Sequence, residues 1–229
     1  HNINIMSKTK NDNSIVLSYH DSLLRNDDVQ LLRGPHWIND TIIGFYFEYL
    51  EKKGANSKLK DALFVSPELT QLLKLTASSD YDILLESMNA KSSSFVFFPL
   101  NNCDSREDAG GTHWSLIVYS KKEKICYHLD SSKGLNSGVA KNFAKSIMDY
   151  FCGKGLGNYV EVDIPQQENG YDCGLYVLCC TDLVIDNVIT KSTVEDCRFE
   201  HLEVLVEGKR KKLLDLIDYL KTMEAEADR

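Results

Sequence analysis

The chain of 229 residues contains no uninterrupted apolar segment that approaches the roughly 18 residues needed to span a membrane. Its longest apolar stretches, residues 42–47 and 175–180, end at Glu48 and at Thr181 with Asp182. Basic charge is also scarce, since 26 Lys and Arg oppose 34 Asp and Glu, for a net charge of −8. These deficits predict a protein with no membrane and no nucleic acid among its partners, and they are compatible with a basic protein surface as a partner.

The seven cysteines include no Cys-x-x-Cys pair, and their odd number does not suit a disulfide framework. Cys179 and Cys180 are adjacent rather than spaced as metal ligands, and the six histidines are scattered. We therefore predict no metal site and no cofactor. We expect no secretory signal ahead of the domain. Reduced thiols are typical of the cytoplasm and the nucleus, and we expect the protein in one or both of these compartments.

The sequence shows neither an internal repeat nor a low-complexity linker, which predicts one folded domain over residues 15–229. A domain of this length has room for a substantial core, and we expect it to act as a monomer. Residues 1–14 are expected to be a disordered lead-in, and the first five resemble a remnant of cloning ahead of Met6.

Hydrophobic periodicity predicts an α+β domain in which a sheet flanked by helices surrounds one central helix. Helices are predicted at residues 38–50, from Ser66 onward, and at residues 80–88, 139–151, 174–185 and 212–223, with a capped helical turn at residues 21–24. Strands are predicted at residues 16–19, 95–98, 114–119, 125–129 and 159–162. The segment 174–185 is apolar on every side, which indicates a helix buried at the centre of the domain.

Cys173 is a candidate nucleophile because it opens this central helix. The helix dipole and the free backbone N–H groups at that end favour a thiolate. The backbone N–H of Cys173 and the side-chain amide of Gln167 would supply donors for an oxyanion. The alternatives are that Cys173 is only a small buried hydrophobe and that Gln166 takes the place of Gln167. Asp172 is expected to cap the helix.

His113 is the candidate general base, with His128 as its rival. His113 follows Gly110-Gly111, which suits a flexible loop at the edge of a cleft, and it precedes the aromatic Trp114. If residues 124–130 form a strand, His128 and Asp130 share a face, so that His128 lies behind Asp130. Asp130 is then either the carboxylate that orients the imidazole of His113 or an ordinary cap at the end of a strand.

The candidate residues lie in three blocks: Gly111-Thr112-His113-Trp114-Ser115-Leu116, Tyr127-His128-Leu129-Asp130-Ser131 and Gln167-Glu168-Asn169-Gly170-Tyr171-Asp172-Cys173-Gly174. Their order and composition resemble the Ulp-type cysteine proteases, which cleave ubiquitin-like modifiers. A further likeness to the deneddylases of that family is carried by Leu17-Ser18-Tyr19, Asp21-Ser22-Leu23-Leu24-Arg25, His36-Trp37-Ile38-Asn39-Asp40, Ser66-Pro67-Glu68 and Ala109-Gly110-Gly111.

This resemblance implies a papain-like fold in a permuted chain order, with the nucleophile at the N-terminus of the buried central helix. It implies four catalytic roles: base and acid for His113, orienter for Asp130, oxyanion donor for Gln167 and nucleophile for Cys173. It also implies a narrow tunnel, roofed by Trp37 and Trp114, that admits only the Gly-Gly tail of a modifier, and a contact between Asp40 and that tail.

The expected function is a thiol isopeptidase and peptidase that cuts after the terminal Gly-Gly of a Nedd-type modifier. It would mature the precursor and release the modifier from target lysines, for example those of neddylated cullins. The same chemistry aimed at SUMO or ubiquitin, a non-catalytic binding module and an acyltransferase are the alternatives. The sequence has no Gly-rich or basic phosphate-binding segment that would favour the acyltransferase. An acidic loop with Asp104, Glu107 and Asp108 would either meet a basic patch of the modifier or be plain solvated surface.

Overall fold

A computed structural model describes residues 12–54, 59, 61–105 and 110–229, so that most of the predicted lead-in lies outside the described residues. The strands are β1 (Ile15–Tyr19), β2 (Ser22–Arg25), β3 (Ala62–Phe64), β4 (Phe95–Asn101), β5 (Trp114–Ser120), β6 (Ile125–Leu129) and β7 (Asn158–Val162). The α-helices are α1 (Asn26–Gln30), α2 (Asp40–Gly54), α3 (Pro67–Lys74), α4 (Tyr81–Leu85), α5 (Ser137–Phe151), α6 (Cys173–Lys191) and α7 (Leu202–Ala227).

A five-stranded mixed sheet forms the centre of the molecule, in the order β3-β4-β5-β6-β7. The outer pairs β3/β4 and β6/β7 are parallel, whereas β4/β5 and β5/β6 are antiparallel. One face of the sheet packs against α5, and the other packs on a core that includes α2, α6 and α7. The predicted α+β class is therefore confirmed. Strand β3 was not predicted, because three residues are too few to show an alternating pattern.

The predicted helical turn at residues 21–24 is wrong, because this segment is strand β2 of a separate hairpin with β1. His20 adopts a left-handed conformation (φ 50°) in the turn, and the Asp21 N–H donates to Glu48 Oε1 at 2.8 Å, which joins the turn to α2. Leu17 and Leu24 are fully buried, whereas Leu23 is exposed. The alternation of the hairpin buries one face, and its short strands resemble a helical turn in sequence.

Helix α6 is longer than the predicted 174–185 and continues through Asp182 to Lys191. Asp182 is accommodated because its carboxylate accepts from the Tyr46 hydroxyl at 2.6 Å and from Lys209 Nζ at 2.6 Å. Among the described residues, α6 is the one helix whose length and mean hydropathy of 1.5 would suffice to cross a membrane. Of its apolar window, 61% is buried inside the molecule, as expected for the core helix of a folded domain.

Helix α7 begins ten residues before the predicted start at residue 212. The prediction began too late because a charged residue, Lys209, interrupts the apolar face of the helix in the sequence. The buried positions follow helical spacing and are Leu202, Val206, Lys209, Leu213 and Ile217. Lys209 is only 6% exposed. Its ammonium group lies 4.1 Å from the centre of the Tyr46 ring and donates to the Tyr46 hydroxyl at 2.8 Å. The charged side chain that obscures the helical pattern in the sequence therefore joins α7 to Tyr46 of α2 and Asp182 of α6.

Replacing Lys209 with alanine should lower the free energy of unfolding by about 3 kcal/mol, because it leaves a largely desolvated carboxylate without its cation. Removal of one partner of a buried ion pair usually costs about 3–5 kcal/mol, and the lower end of this range applies because the Asp182 side chain is 29% exposed. Urea unfolding at neutral pH measures the change. Lys211→Ala is the matched control, because its ion pair with Asp215 is exposed and should contribute less than about 1 kcal/mol. Equal losses in the two variants would contradict a special role for Lys209.

Candidate active site

Cys173 is the first residue of α6 and is 3% exposed. The next residue, Gly174, has no room for a side chain, since a Cβ atom there would lie 2.4 Å from Ile38 Cγ1. Ile38 belongs to the segment that leads into α2, so this contact sets the N-terminus of α6 directly beside that segment. The close packing fixes the position of the thiol relative to the neighbouring chain.

His113 and Asp130 meet because they flank the paired ends of two adjacent strands. His113 precedes β5 and Asp130 follows β6, and the antiparallel register pairs Leu116 with Leu129. His113 Nε2 lies 2.5 Å from Asp130 Oδ1, and both residues are 3% exposed. Cys173 lies close enough to the imidazole of His113 to act on its pKa. Because Nε2 is engaged by Asp130, Nδ1 is the nitrogen available to the sulfur.

The electrostatics of His113 favour its protonated form. Burial acts to lower the pKa of His113, but hydrogen bonds with Asp130 and Cys173 and the charges of these groups raise the pKa to about 9. Burial raises the pKa of Cys179 to about 12 and the pKa of Cys180 well above its ordinary value, so that these two remain thiols.

Asp130 is held by main-chain donors as well as by His113. Its Oδ1 accepts from the Ser132 N–H at 2.9 Å, and its Oδ2 accepts from the Asn136 N–H at 3.2 Å. Burial acts to raise the pKa of Asp130, but the hydrogen bonds from His113 and Ser132 hold it below its ordinary value. The Asn136 side chain also donates to His113 O at 3.3 Å. Asn136 was not predicted as a site residue, because in the sequence it is an ordinary polar residue before a helix.

His128 lies apart from the thiol. It is fully buried, its Nδ1 contacts Glu161 Oε1 at 2.8 Å, and its Nε2 contacts Ser115 Oγ at 2.8 Å. Both ring nitrogens are thus engaged on the side away from Cys173. The structure brings His113 rather than His128 to the cysteine.

The two candidate glutamines point to different partners. Gln167 Oε1 accepts from the Ser131 hydroxyl at 2.5 Å, and its Nε2 donates to Asn169 O at 2.7 Å. Gln166 Nε2 donates to Asp130 O at 3.0 Å. Gln166 therefore supports the segment that carries Asp130, whereas Gln167 lies in the segment that leads to Cys173 and keeps a second Nε2 hydrogen for another acceptor.

The prediction that the Asp172 side chain caps α6 is wrong. Asp172 occupies the N-cap position, but its side chain makes no capping hydrogen bond. Its carboxylate instead accepts from Arg210 Nη2 at 2.9 Å and from Asn169 Nδ2 at 2.8 Å. The cation of α7 competes successfully with the helix N-terminus for this carboxylate.

A cleft of about 530 Å³ contains the three residues predicted to bind substrate, and its lining includes Trp37, Asp40, Glu68, Gln71, Gly111 and Trp114. Trp37 is 51% exposed. Gly111 is constrained rather than merely flexible, since its φ is +103° and a Cβ atom would lie 1.6 Å from Asn101 Oδ1. Of the predicted acidic loop only Asp104 is described, because Glu107 and Asp108 lie outside the described residues.

Glu68, which the sequence did not single out as a site residue, adds a second carboxylate to the cleft. Burial and then the nearby charge and hydrogen bond of Asp40 raise the pKa of Glu68, although its backbone and Ser66 partly oppose the shift. The two carboxylates are therefore close neighbours on the edge that α2 and α3 share. This edge of the cleft favours a cationic group.

The profile described as "Ulp1 protease family, C-terminal catalytic domain" matches residues 36–212. The chain belongs to the Ulp1 protease family. It is a cysteine protease of that family, and the resemblance inferred from the sequence is confirmed. Sentrin-specific protease 8 of Homo sapiens is 42% identical to this Ulp1-family chain over 185 residues, which cover 78% of this chain and 85% of that protein.

Two further relatives agree with this membership. NEDD8-specific protease 1 of Arabidopsis thaliana is 32% identical over 184 residues, which cover 79% of each chain. The solved C-terminal Ulp1 protease domain in complex with Smt3, the yeast ortholog of SUMO, superimposes with a TM-score of 0.68. That alignment covers 93% of this chain and 90% of the yeast domain at 19% identity, so it supports the Ulp1 fold alone.

The raised pKa of His113 predicts a stability contribution that depends on pH. Below about 6.5, the ordinary pKa, His113 is protonated in the folded and the unfolded chain and its contribution is complete; above about 9 the contribution is lost. The difference in free energy of unfolding between the wild type and His113→Gln should therefore shrink as pH rises through this interval. Urea unfolding at several pH values measures it, and a difference that grows with pH would contradict the assignment.

Proposed function

We propose that this protein hydrolyses the bond after the C-terminal Gly-Gly of NEDD8 or a NEDD8-like modifier. The observation that carries the proposal is the buried pair of His113 and Asp130, with Cys173 acting on the same imidazole, next to a cleft lined by Trp37 and by Trp114, the residue after His113. The names of the two relatives, NEDD8-specific protease 1 and Sentrin-specific protease 8, support the choice of modifier. Both alignments cover more than three quarters of this chain, and the family match over residues 36–212 spans all the proposed site residues.

In the proposed reaction the Cys173 thiolate attacks the carbonyl carbon of the terminal glycine. The tetrahedral oxyanion accepts from the Cys173 N–H and from the free Nε2 hydrogen of Gln167. His113 gives its proton to the departing amine, and a thioester between the modifier and Cys173 remains. Water then attacks the thioester while His113 takes its proton, the C–S bond breaks, and the Cys173 thiolate is restored as the modifier leaves with a free carboxylate. Asp130 holds the ring throughout. No metal or cofactor takes part.

The cleft would select glycine by exclusion. We propose that Trp37 and Trp114 close around the last two residues of the tail, so that a side chain at either residue would have to displace an indole. Asp40 and Glu68 lie at the same cleft and would receive a basic side chain from the preceding part of the tail. Shape would thus impose the Gly-Gly requirement and charge would help to choose the modifier.

The same site would serve both precursors and conjugates, because a peptide bond and a lysine isopeptide bond present the same carbonyl after the terminal glycine. We therefore propose maturation of the modifier and its removal from target lysines, neddylated cullins among them. A monomer suffices, since all the proposed catalytic residues come from one chain. The proposed compartments are the cytoplasm and the nucleus.

The decisive experiment offers the protein NEDD8, SUMO and ubiquitin, each with a C-terminal electrophile that traps a nucleophile. NEDD8 should form an adduct that mass spectrometry locates on Cys173, and Cys173→Ala should form none while it still binds the modifier. The same three modifiers with a common fluorogenic leaving group then give kcat/KM. Equal kcat/KM values for all three would refute the specificity, and an adduct on another cysteine would refute the nucleophile.

Gln167→Ala should reduce kcat by about 10²- to 10³-fold, because one donor to the oxyanion is lost, with little change in the affinity for the modifier. Gln166→Ala is the matched comparison. The Gln166 side chain supports the Asp130 main chain, so its removal should lower the thermal midpoint of unfolding and change kcat little. Steady-state kinetics with the fluorogenic substrate distinguish the two, and a larger loss of kcat in Gln166→Ala would show that the wrong glutamine has been chosen.

A further inference from the structure

One side chain of the C-terminal helix joins three separate segments around the site. Arg210 Nη1 donates to Leu31 O at 2.8 Å, and Arg210 Nη2 donates to His36 O at 2.6 Å and to Asp172 Oδ1 at 2.9 Å. The guanidinium carbon lies 5.9 Å from the centre of the Tyr171 ring. Arg210 and Asp172 side chains are 18% and 17% exposed, so this ion pair is mostly shielded from solvent.

The bond to His36 places the first wall of the cleft, because His36 immediately precedes Trp37. The indole N–H of Trp37 donates in turn to Gly170 O, in the segment that leads to Cys173. Ile38, the next residue, fills the space beside Gly174. Trp37 is thus held from two directions, by Arg210 through its main chain and by Gly170 through its ring.

The bond to Asp172 reaches the second part of the site, the segment 167–173. Asp172 Oδ2 accepts from Asn169 Nδ2 at 2.8 Å, and Asn169 Oδ1 accepts from the Tyr171 N–H at 3.0 Å and the Asp172 N–H at 2.9 Å. Asn169 O accepts from Gln167 Nε2 at 2.7 Å. A continuous series of hydrogen bonds therefore leads from Arg210 to the proposed oxyanion donor and to the residue before the nucleophile.

An arginine suits this position for a geometric reason. Its planar guanidinium presents donors in fixed, divergent directions, and here they reach two carbonyl oxygens and one carboxylate at once. The ammonium group of a lysine is a compact point charge that could pair with Asp172 but could not span the same acceptors. Removal of the guanidinium would leave a mostly buried carboxylate and two carbonyls without their donor.

We propose that Arg210 is a positioning residue that couples the Trp37 wall of the cleft to the segment carrying Gln167 and Cys173. Arg210 touches neither the reacting atoms nor the cleft surface, and the proposal rests on the function proposed above. Through His36 it sets the height of Trp37 over the cleft, which governs binding of the tail. Through Asp172 and Asn169 it sets the oxyanion donor against the nucleophile, which governs the chemical step.

The test compares Arg210→Met and Arg210→Lys with the control Lys211→Met, which removes a neighbouring, exposed positive charge from the same helix. Titration with the NEDD8 electrophile gives the concentration of competent sites. Because kcat is then calculated per competent site, a smaller folded fraction of a variant does not lower its kcat. Per competent site, Arg210→Met should lower kcat and raise KM, with kcat/KM reduced on the order of 10- to 100-fold. Arg210→Lys should lie between Arg210→Met and the wild type, and Lys211→Met should match the wild type.

A second readout needs no substrate. The chain has two tryptophans, so the Trp114→Phe background leaves Trp37 as the sole tryptophan reporter. In this background Arg210→Met should shift the emission of Trp37 to longer wavelength and increase its quenching by acrylamide, because the ring loses its fixed contact with Gly170. The Lys211→Met control should change neither property.

Each outcome decides the proposal. Unaltered kcat and KM per competent site together with unaltered Trp37 emission would overturn it, and so would a lower thermal midpoint as the only effect. If Arg210→Met does not fold, Arg210→Lys carries the same comparison, since it keeps the charge and loses the planar geometry. If the wild type cleaves none of the three modifiers, the proposed function fails, whereas the emission of Trp37 still decides whether Arg210 positions the cleft wall.

Discussion

The burial of α6 between the central sheet and the helices α2 and α7 is the constraint on which the whole site depends. Residues 173–181 of α6 are buried on every side, so the N-terminal half of the helix lies at the centre of the domain. The N-terminus of α6 lies near the start of β5 and the end of β6. Cys173 is therefore close to His113 and Asp130. Hydrophobic packing thus brings the thiol to the imidazole, while hydrogen bonds only refine the distance.

The same burial creates an electrostatic problem that the site solves with fixed donors. A desolvated imidazolium and a desolvated carboxylate are each unfavourable alone, but His113 and Asp130 stabilise each other as a pair. The main-chain N–H groups of Ser132 and Asn136 support the carboxylate further, and Asn136 also binds the main chain of His113. Because these donors belong to a turn and a helix start, they need no reorganisation when charge develops on the sulfur or on the substrate oxygen.

The sequence predicted those features that are encoded within a few neighbouring residues. The His113, Asp130 and Cys173 blocks are local motifs, and the strands β4 to β7 show apolar runs bounded by polar loops. Two of the failures share a cause, which is a polar residue whose partner is far away in the chain. The sequence predicts that Asp172 caps a helix, whereas in the structure its carboxylate binds Arg210. Lys209 interrupts an apolar face in the sequence, whereas in the structure Asp182 and Tyr46 accept its hydrogen bonds.

Lys209 and Arg210 are adjacent in sequence, yet they serve different sides of α7. Successive residues of a helix point about 100° apart, so one cation turns toward α2 and α6 while the next turns toward the segments that hold Trp37 and Asp172. The first stabilises the core, since its partners Tyr46 and Asp182 lie away from the cleft. Arg210 donates to the main chain of His36, which precedes Trp37, and to Asp172, which precedes Cys173. The C-terminal helix therefore both completes the core and takes part in the geometry of the site, although it contributes no side chain to the proposed chemistry.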